Sequence, residues 1–321
     1  MTMKAKSRLL TILLVAAVAS VFVVPARSYL YDYTVPSGGG TPVPNRWATT
    51  VIWNLNPSRN ANIAGARAVA QVMIDSFATW TAAPNASLQV VRGADSSATS
   101  PGSTSSGPNL ICFVCPDTDN FADANTLAVT TTWTQNNGQL IRASILFNPN
   151  VQFNTDAGDG INVQDLQTVA THEIGHFFGL GHSAVVRAIM YPSASDLRTL
   201  GYDDVAAIST LYPAAGQSAA TGSIAGTVRL NGTAVFGAHV FAESVTTLQS
   251  YPASIRKTPI GMLTRADGSY RISGLPPDSY IVLAEPLDGP IDDSSLGSGA
   301  SGYAGTFGQT AVQTNFNARW H

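Results

Sequence analysis

Cysteine is nearly missing from this chain, with two in 321 residues, at Cys112 and Cys115. Two thiolates fall short of the four ligands of a structural zinc site. Their Cys-Phe-Val-Cys spacing reads as redox or metal chemistry in a reducing compartment, and as a local disulfide in an oxidising one. Charge is scarce as well, at 12% of residues and a net of −3, and no basic stripe gathers anywhere. A nucleic-acid partner is therefore left without its electrostatic footprint. The longest apolar run, Leu9 to Val24 at the N-terminus, has 16 residues, short of the roughly 20 needed to cross a bilayer comfortably, and no second run of spanning length follows. No Gly-x-Ser-x-Gly elbow occurs, which removes the usual setting of a nucleophilic serine. Histidine is also rare, yet three of the five fall within His172–His182, while His239 and His321 stand apart. What the chain has in quantity is apolar material, at 45%, enough for real cores over a length that suits two domains.

The N-terminus reads as an export signal. Lys4, Lys6 and Arg8 precede an apolar run from Leu9 to Val24, and Pro25-Ala26-Arg27-Ser28 offers small residues for cleavage after Ser28. The expected product is secreted, or periplasmic; an uncleaved membrane anchor is the alternative. Residues 29–45, rich in Gly, Pro and Ser, read as a flexible lead-in. An exported chain makes the disulfide the better reading of Cys112 and Cys115.

The segment His172-Glu173-Ile174-Gly175-His176-Phe177-Phe178-Gly179-Leu180-Gly181-His182 carries the chemistry. Residues four apart share one face of a helix, so His172 and His176 can aim at a single ion. Glu173 stands beside them, able to reach a water without being a ligand. Gly179 can take the positive φ that ends the helix and brings His182 round as the third ligand. A bare His-Glu-x-x-His also occurs in helices that bind nothing; the added glycine and third histidine narrow that reading sharply. Upstream, Leu166, Val169, Ala170, Ile174 and Phe177 repeat at helical spacing and predict a helix from Val163 capped by Asn162, with Asp165 favouring its N-terminus electrostatically.

Downstream lies Ala188-Ile189-Met190-Tyr191-Pro192. With this added, the chain resembles the metzincin peptidases, and among them the matrixins. The resemblance implies a zinc-dependent endopeptidase acting on protein or peptide, with zinc on His172, His176 and His182, Glu173 as general base, and Met190 in a methionine turn beneath the site. Tyr191 and Pro192 then become walls of a substrate pocket, and no tyrosine joins the ligands, since the position where some metzincins place one holds Pro192. Leu200 to Tyr212 is similar to the closing helix of matrixin catalytic domains, with Val205, Ile208 and Leu211 as its apolar face. Matrixins are often latent through a pro-domain cysteine and often hold a second zinc on three further histidines. This chain has neither set of residues, so an active mature form with one zinc is expected. Calcium, which matrixins often bind, has weak support: Asp117, Asp119 and Asp123 form an acidic loop without EF-hand spacing, and Asp156 and Asp159 read the same way.

The resemblance spans residues 46–213. Strands are expected over Trp47–Leu55, Leu88–Arg92, Leu127–Thr134 and Leu140–Asn148, and a helix over Ala61–Thr81. Residues 214–222 read as a linker. Over 223–286, short alternating strands and the turns Asn231-Gly232 and Asp267-Gly268 resemble a carboxypeptidase regulatory-like, transthyretin-like β-sandwich. Residues 287–321 form a Gly- and Ser-rich tail with room for a last strand. The fold class is thus α+β: a metzincin-type domain with a twisted mixed sheet and a zinc-binding helix, plus a small C-terminal β-sandwich. A monomer is expected, with the sandwich free to bind a surface or partner. The alternative function is a non-catalytic exported adhesion module with a vestigial metal site.

Overall fold

The computed structural model describes residues 30–320 except 103–105, 118–120, 122–124, 160–161, 194–196, 290 and 297–301. The expected export signal lies outside the described residues, as do Asp119 and Asp123 of the acidic loop. Among the described residues, no helix is long and apolar enough to cross a membrane.

The chain enters through a short ribbon, β1 (Tyr33–Thr34) antiparallel to β2 (Val43–Pro44). The lead-in is therefore not free chain. Tyr31 is fully buried and bridges to Leu180, and Leu30 and Tyr33 are buried with it. Composition predicted flexibility, but these apolar side chains outweigh it once a surface exists for them to cover.

β3 (Val51–Asn56) buries Val51, Trp53 and Leu55 and exposes Ile52, the alternation its sequence shows. A turn and a two-residue strand, β4 (Ile63–Ala64), follow, so α1 starts at Val69 and ends at Thr81 rather than beginning at Ala61. Its stripe of Val69, Val72, Met73, Phe77 and Trp80 faces inward. β5 (Val90–Arg92), β6 (Asn109–Cys112), β7 (Ala128–Thr134) and β8 (Leu140–Phe147) complete a mixed sheet ordered β5-β3-β6-β8-β7, parallel except for the β7 edge. β6 was hidden in the sequence by the Ser- and Gly-rich stretch before it. It ends at Cys112, which is disulfide-bonded to Cys115 and packs with Leu110, Phe121 and Leu146.

β9 (Phe153–Asn154) pairs in parallel with β4 and with β10 (Gln164–Asp165). Helix α2 (Leu166–Phe177) then begins, and its cap is Asp165 in place of Asn162, because the Asp165 carboxylate accepts the Thr168 N–H at 2.9 Å. The Asn162 N–H is taken instead by Asp159. Leu166, Val169, Ala170, Ile174 and Phe177 are all buried against α1 and the sheet, and the Trp80 indole donates to the Thr171 carbonyl at 2.7 Å.

α3 (Tyr202–Leu211) is buried almost all round, beyond the single face expected. The reason is what packs on its far side. After α4 (Gln217–Ala220), inside the presumed linker, come β11 (Gly222–Thr227), β12 (Arg229–Leu230), β13 (Thr233–Ala234), β14 (His239–Ser244), β15 (Ile260–Leu263), β16 (Ser269–Leu275), β17 (Tyr280–Glu285), α5 (Gly302–Thr306) and β18 (Arg319–Trp320). They form one sheet ordered β15-β14-β17-β18 and a β11-β16 pair. Asn231 and Gly232 both take positive φ in the β12-β13 hairpin, as that dipeptide predicts. β15 and β16 lie on α3, so Val240, Ile260, Met262 and Ile272 join one continuous core with Val205, Ile208 and Leu211. Gly274 makes the approach possible, since a Cβ there would stand 3.2 Å from the Ala206 carbonyl oxygen.

The tail is not a loose end either. Leu287, Ile291, Leu296 and Tyr303 bury themselves with Leu30, Phe236 and Leu263 in a second cluster.

Candidate metal centre

α2 delivers His172 and His176 one turn apart, and Gly179 at φ +92° turns the chain so that His182 returns to them. One ring nitrogen from each of the three lies within 4.8 Å of the others. The Nε2 atoms of His172 and His176 are 3.1 Å apart. Two nitrogens bound to one tetrahedral ion at about 2.0–2.1 Å would sit roughly 3.3 Å apart. Each Nδ1 is turned away and donates to a backbone carbonyl: His172 to Ile189 at 2.7 Å, His176 to Leu180 at 2.8 Å, His182 to Ser295 at 2.7 Å. That arrangement leaves Nε2 of every ring as a lone-pair donor, the tautomer a metal requires. Burial pushes the His172 imidazolium down to about 3 with help from His182, and pushes His176 and His182 down as well, so all three rings are neutral at ordinary pH. The residues present fit a zinc ion.

Glu173 shares the turn but points elsewhere. Its carboxylate accepts the Thr130 hydroxyl at 2.5 Å, and burial pushes it up to about 7 against that bond. Thr130 lies on β7, the edge of the sheet, and the two line a cleft of about 850 Å³ with the three histidines. Tyr191 and Pro192 line the same cleft, as do residues 125–128. Asp32, Tyr33 and Asn45 line it too, and Thr34 donates to Asn45 at 2.7 Å and meets Thr134 at 3.0 Å, at the other end of β7. Asp32 is half-buried there, and desolvation pushes its carboxyl up to about 7.

Met190 runs beneath α2. A Cβ on Gly175 would stand 2.2 Å from its sulfur, so glycine lets the methionine lie directly against the helix. The turn is held from below by Asp204, whose carboxylate accepts the N–H groups of Ile189 at 2.8 Å, Met190 at 3.1 Å and Gly201 at 2.7 Å. Since the Ile189 carbonyl in turn accepts from His172, Asp204 orients a metal-facing ring through one peptide. Asp203 and Asp204 both stand in the first turn of α3, where acids suit the helix N-terminus, and sequence alone assigns them no more than that. Asp203 reaches across modules instead, accepting the Ser183 hydroxyl at 2.6 Å and the Gly261 N–H at 2.8 Å. Thr130, Asp204 and Ser295 had no signal of their own, because each acts across segments distant in sequence.

Asp203 gives a pH test. Burial and the neighbouring Asp204 push it up to about 7 from 3.8. A carboxyl held above its unfolded value binds its proton more tightly in the native state, so it contributes stability at low pH that is lost as pH rises from about 4 to about 7. The Asp203→Asn variant cannot ionise, and should lose less stability over that window, by on the order of a few kcal/mol. Thermal melts at stepped pH should show the variant curve falling less steeply than the wild type; parallel curves would remove Asp203 as the cause.

Asp156 and Asp159 do not gather as a cation site. Asp156 accepts the Ala66 and Arg67 N–H groups, which hold its carboxyl below the usual range, and Asp159 accepts those of Asn162 and Val163.

The matrixin model of the M10 peptidases matches residues 46–213. The chain is also similar to Metalloendoproteinase 1 of Glycine max, 56% identical over 52 residues that cover 15% of this chain and 17% of that protein. Matrilysin of Rattus norvegicus is 50% identical over 48 residues, 14% of this chain and 18% of that one. Karilysin of Tannerella forsythia is 50% identical over 56 residues, 17% and 11% respectively. The matched segments thus span less than a fifth of each of these relatives.

Proposed function

The chain belongs to the matrixin family, and from that premise we propose that it is an exported zinc-dependent endopeptidase. The observation that carries the reading is the convergence of three neutral imidazoles beside a buried glutamate on the rim of an open cleft. A zinc ion held by His172, His176 and His182 would lower the pKa of a water and polarise a scissile carbonyl. The chain's own residues do the rest. Glu173, with a proton affinity suited to neutral pH, takes the proton from the attacking water and returns it to the leaving amine. The free edge of β7 aligns an extended peptide by backbone hydrogen bonds, and Tyr191 and Pro192 wall the recess for one of its side chains. The hydrolysis balances: water adds across the C–N bond, hydroxyl to the acyl carbon and proton to nitrogen.

The substrate class is protein or peptide, the metal one catalytic zinc, and the route out of the cell the segment 1–28. Support for export comes from the charge and apolar pattern of that segment. The test is a chelator titration on a peptide library, with metal analysis alongside. Cleavage should stop when zinc is stripped and return on adding one equivalent; cleavage that persists, or a chain that never cuts with zinc restored, would rule the reading out.

A further inference from the structure

Two of the three histidines find their Nδ1 acceptors inside the matrixin region, at Ile189 and Leu180, but the third does not. The His182 Nδ1–H donates to the Ser295 carbonyl at 2.7 Å, across 113 residues of sequence. The structure assigns to the C-terminal module the positioning of the third metal-facing histidine: the site is completed by two modules, and residues 46–213 alone hold an incomplete one.

The carbonyl sits on a built element. Asp293–Ser295 is a tight 3₁₀ turn, and the Asp292 side chain accepts from Ser295 N at 3.1 Å and from the Ser294 hydroxyl at 2.6 Å. Asp293 accepts the Ala304 N–H at 2.9 Å, which ties the turn to α5. Ile291 and Leu296, on either side, are buried in the cluster of Leu30, Phe236 and Tyr303, with Ala184 and Tyr191 packed against it. The acceptor is thus fixed by side chains on the turn itself and by apolar packing on both flanks. A ring whose second nitrogen has such a partner is locked in orientation and tautomer, and losing such a partner typically weakens metal binding about 10–100-fold. Linkage makes the coupling mutual: zinc on His182 must also strengthen the docking of residues 291–296 and 302–307.

The inference rests on the zinc reading above, and the experiment separates the two. In the full-length chain, Asp292→Ala/Asp293→Ala removes both side-chain anchors of the turn without touching the ligands, and Asp288→Ala serves as a charge control outside it. Zinc affinity is read by competition with a chromophoric chelator, and the melting of the zinc-free proteins checks the fold. The double variant should bind zinc about 10–100-fold more weakly and the control within twofold of wild type. Equal affinity in all three overturns the inference; a wild type that binds no zinc overturns the metal reading instead. Should the double variant fail to fold, ¹⁵N spectra of the wild-type imidazoles decide. A slowly exchanging His182 Nδ1–H, together with stronger hydrogen-exchange protection of 291–296 and 302–307 when zinc is present, is the expected result; a freely exchanging one refutes the assignment.

Discussion

Replacing Glu173 with alanine or glutamine should leave zinc bound and lower turnover by about 10²–10⁴-fold, the range general-base groups supply. Glu173 is 6% exposed and is held by the Thr130 hydroxyl, so it is oriented before any substrate arrives. Its carboxyl, pushed up to about 7, keeps a proton affinity between that of a free carboxylate and that of the leaving amine. Glutamine keeps the shape and the bond from Thr130 but cannot take a proton, which isolates that one role from packing. Neither change touches His172, His176 or His182. Zinc content by metal analysis and kcat on a peptide should therefore separate cleanly. A variant that retains activity within tenfold, or that loses its zinc, would show that Glu173 is not the base.

The second large effect is structural and falls at Gly179. Gly179→Ala should cost roughly 3 kcal/mol or more, from overpacking and from a strained backbone together. Its φ is +92°, where a side chain is disfavoured, and a Cβ would stand 2.1 Å from the Asn45 carbonyl oxygen. That oxygen is main chain and cannot swing away. The strand around it is tied down besides, since Asn45 N donates to Asp32 O at 2.7 Å and Asp32 N to Gly179 O at 3.0 Å. Relief has to come from moving the entry ribbon or the Gly179–His182 turn, and the second carries a ligand. A melting point lower by about 5 °C follows from that energy for a chain of this size. A weaker zinc site should accompany it. Gly175 makes the contrast: a Cβ there meets the Met190 sulfur and the Trp80 ring, side-chain atoms that can shift, so its penalty should be smaller. A Gly179→Ala protein with wild-type melting and zinc affinity would contradict the steric account.

How far each feature could be read from the chain follows from the range of the forces that make it. The stripes of α1 and α2 were legible because one buried face repeats at 3.6 residues, and the strand β3 because its buried face, Val51, Trp53 and Leu55, repeats at two. The start of α1 was misread at Ala61, since Ile63 and Ala64 leave the helix to pair with Phe153 and Asn154, partners some 90 residues on. The lead-in was misread because composition weighs glycine, proline and serine and overlooks where Tyr31 and Tyr33 go. α3 was read with one apolar face because the other is covered only after the C-terminal strands return.

By itself, the order His172, Glu173, His176, Gly179, His182 determined that three imidazoles converge with a carboxylate on the same helical turn, because a helical turn and one glycine corner are local geometry that eleven residues contain in full. Only the tertiary structure decided what each ring leans on: Ile189 steadied by Asp204 for the first, and Ser295 of the second module for the third. Those acceptors are backbone carbonyls. Every residue type carries one, so no pattern in the chain can announce which of them the fold will bring within 2.7 Å of a histidine.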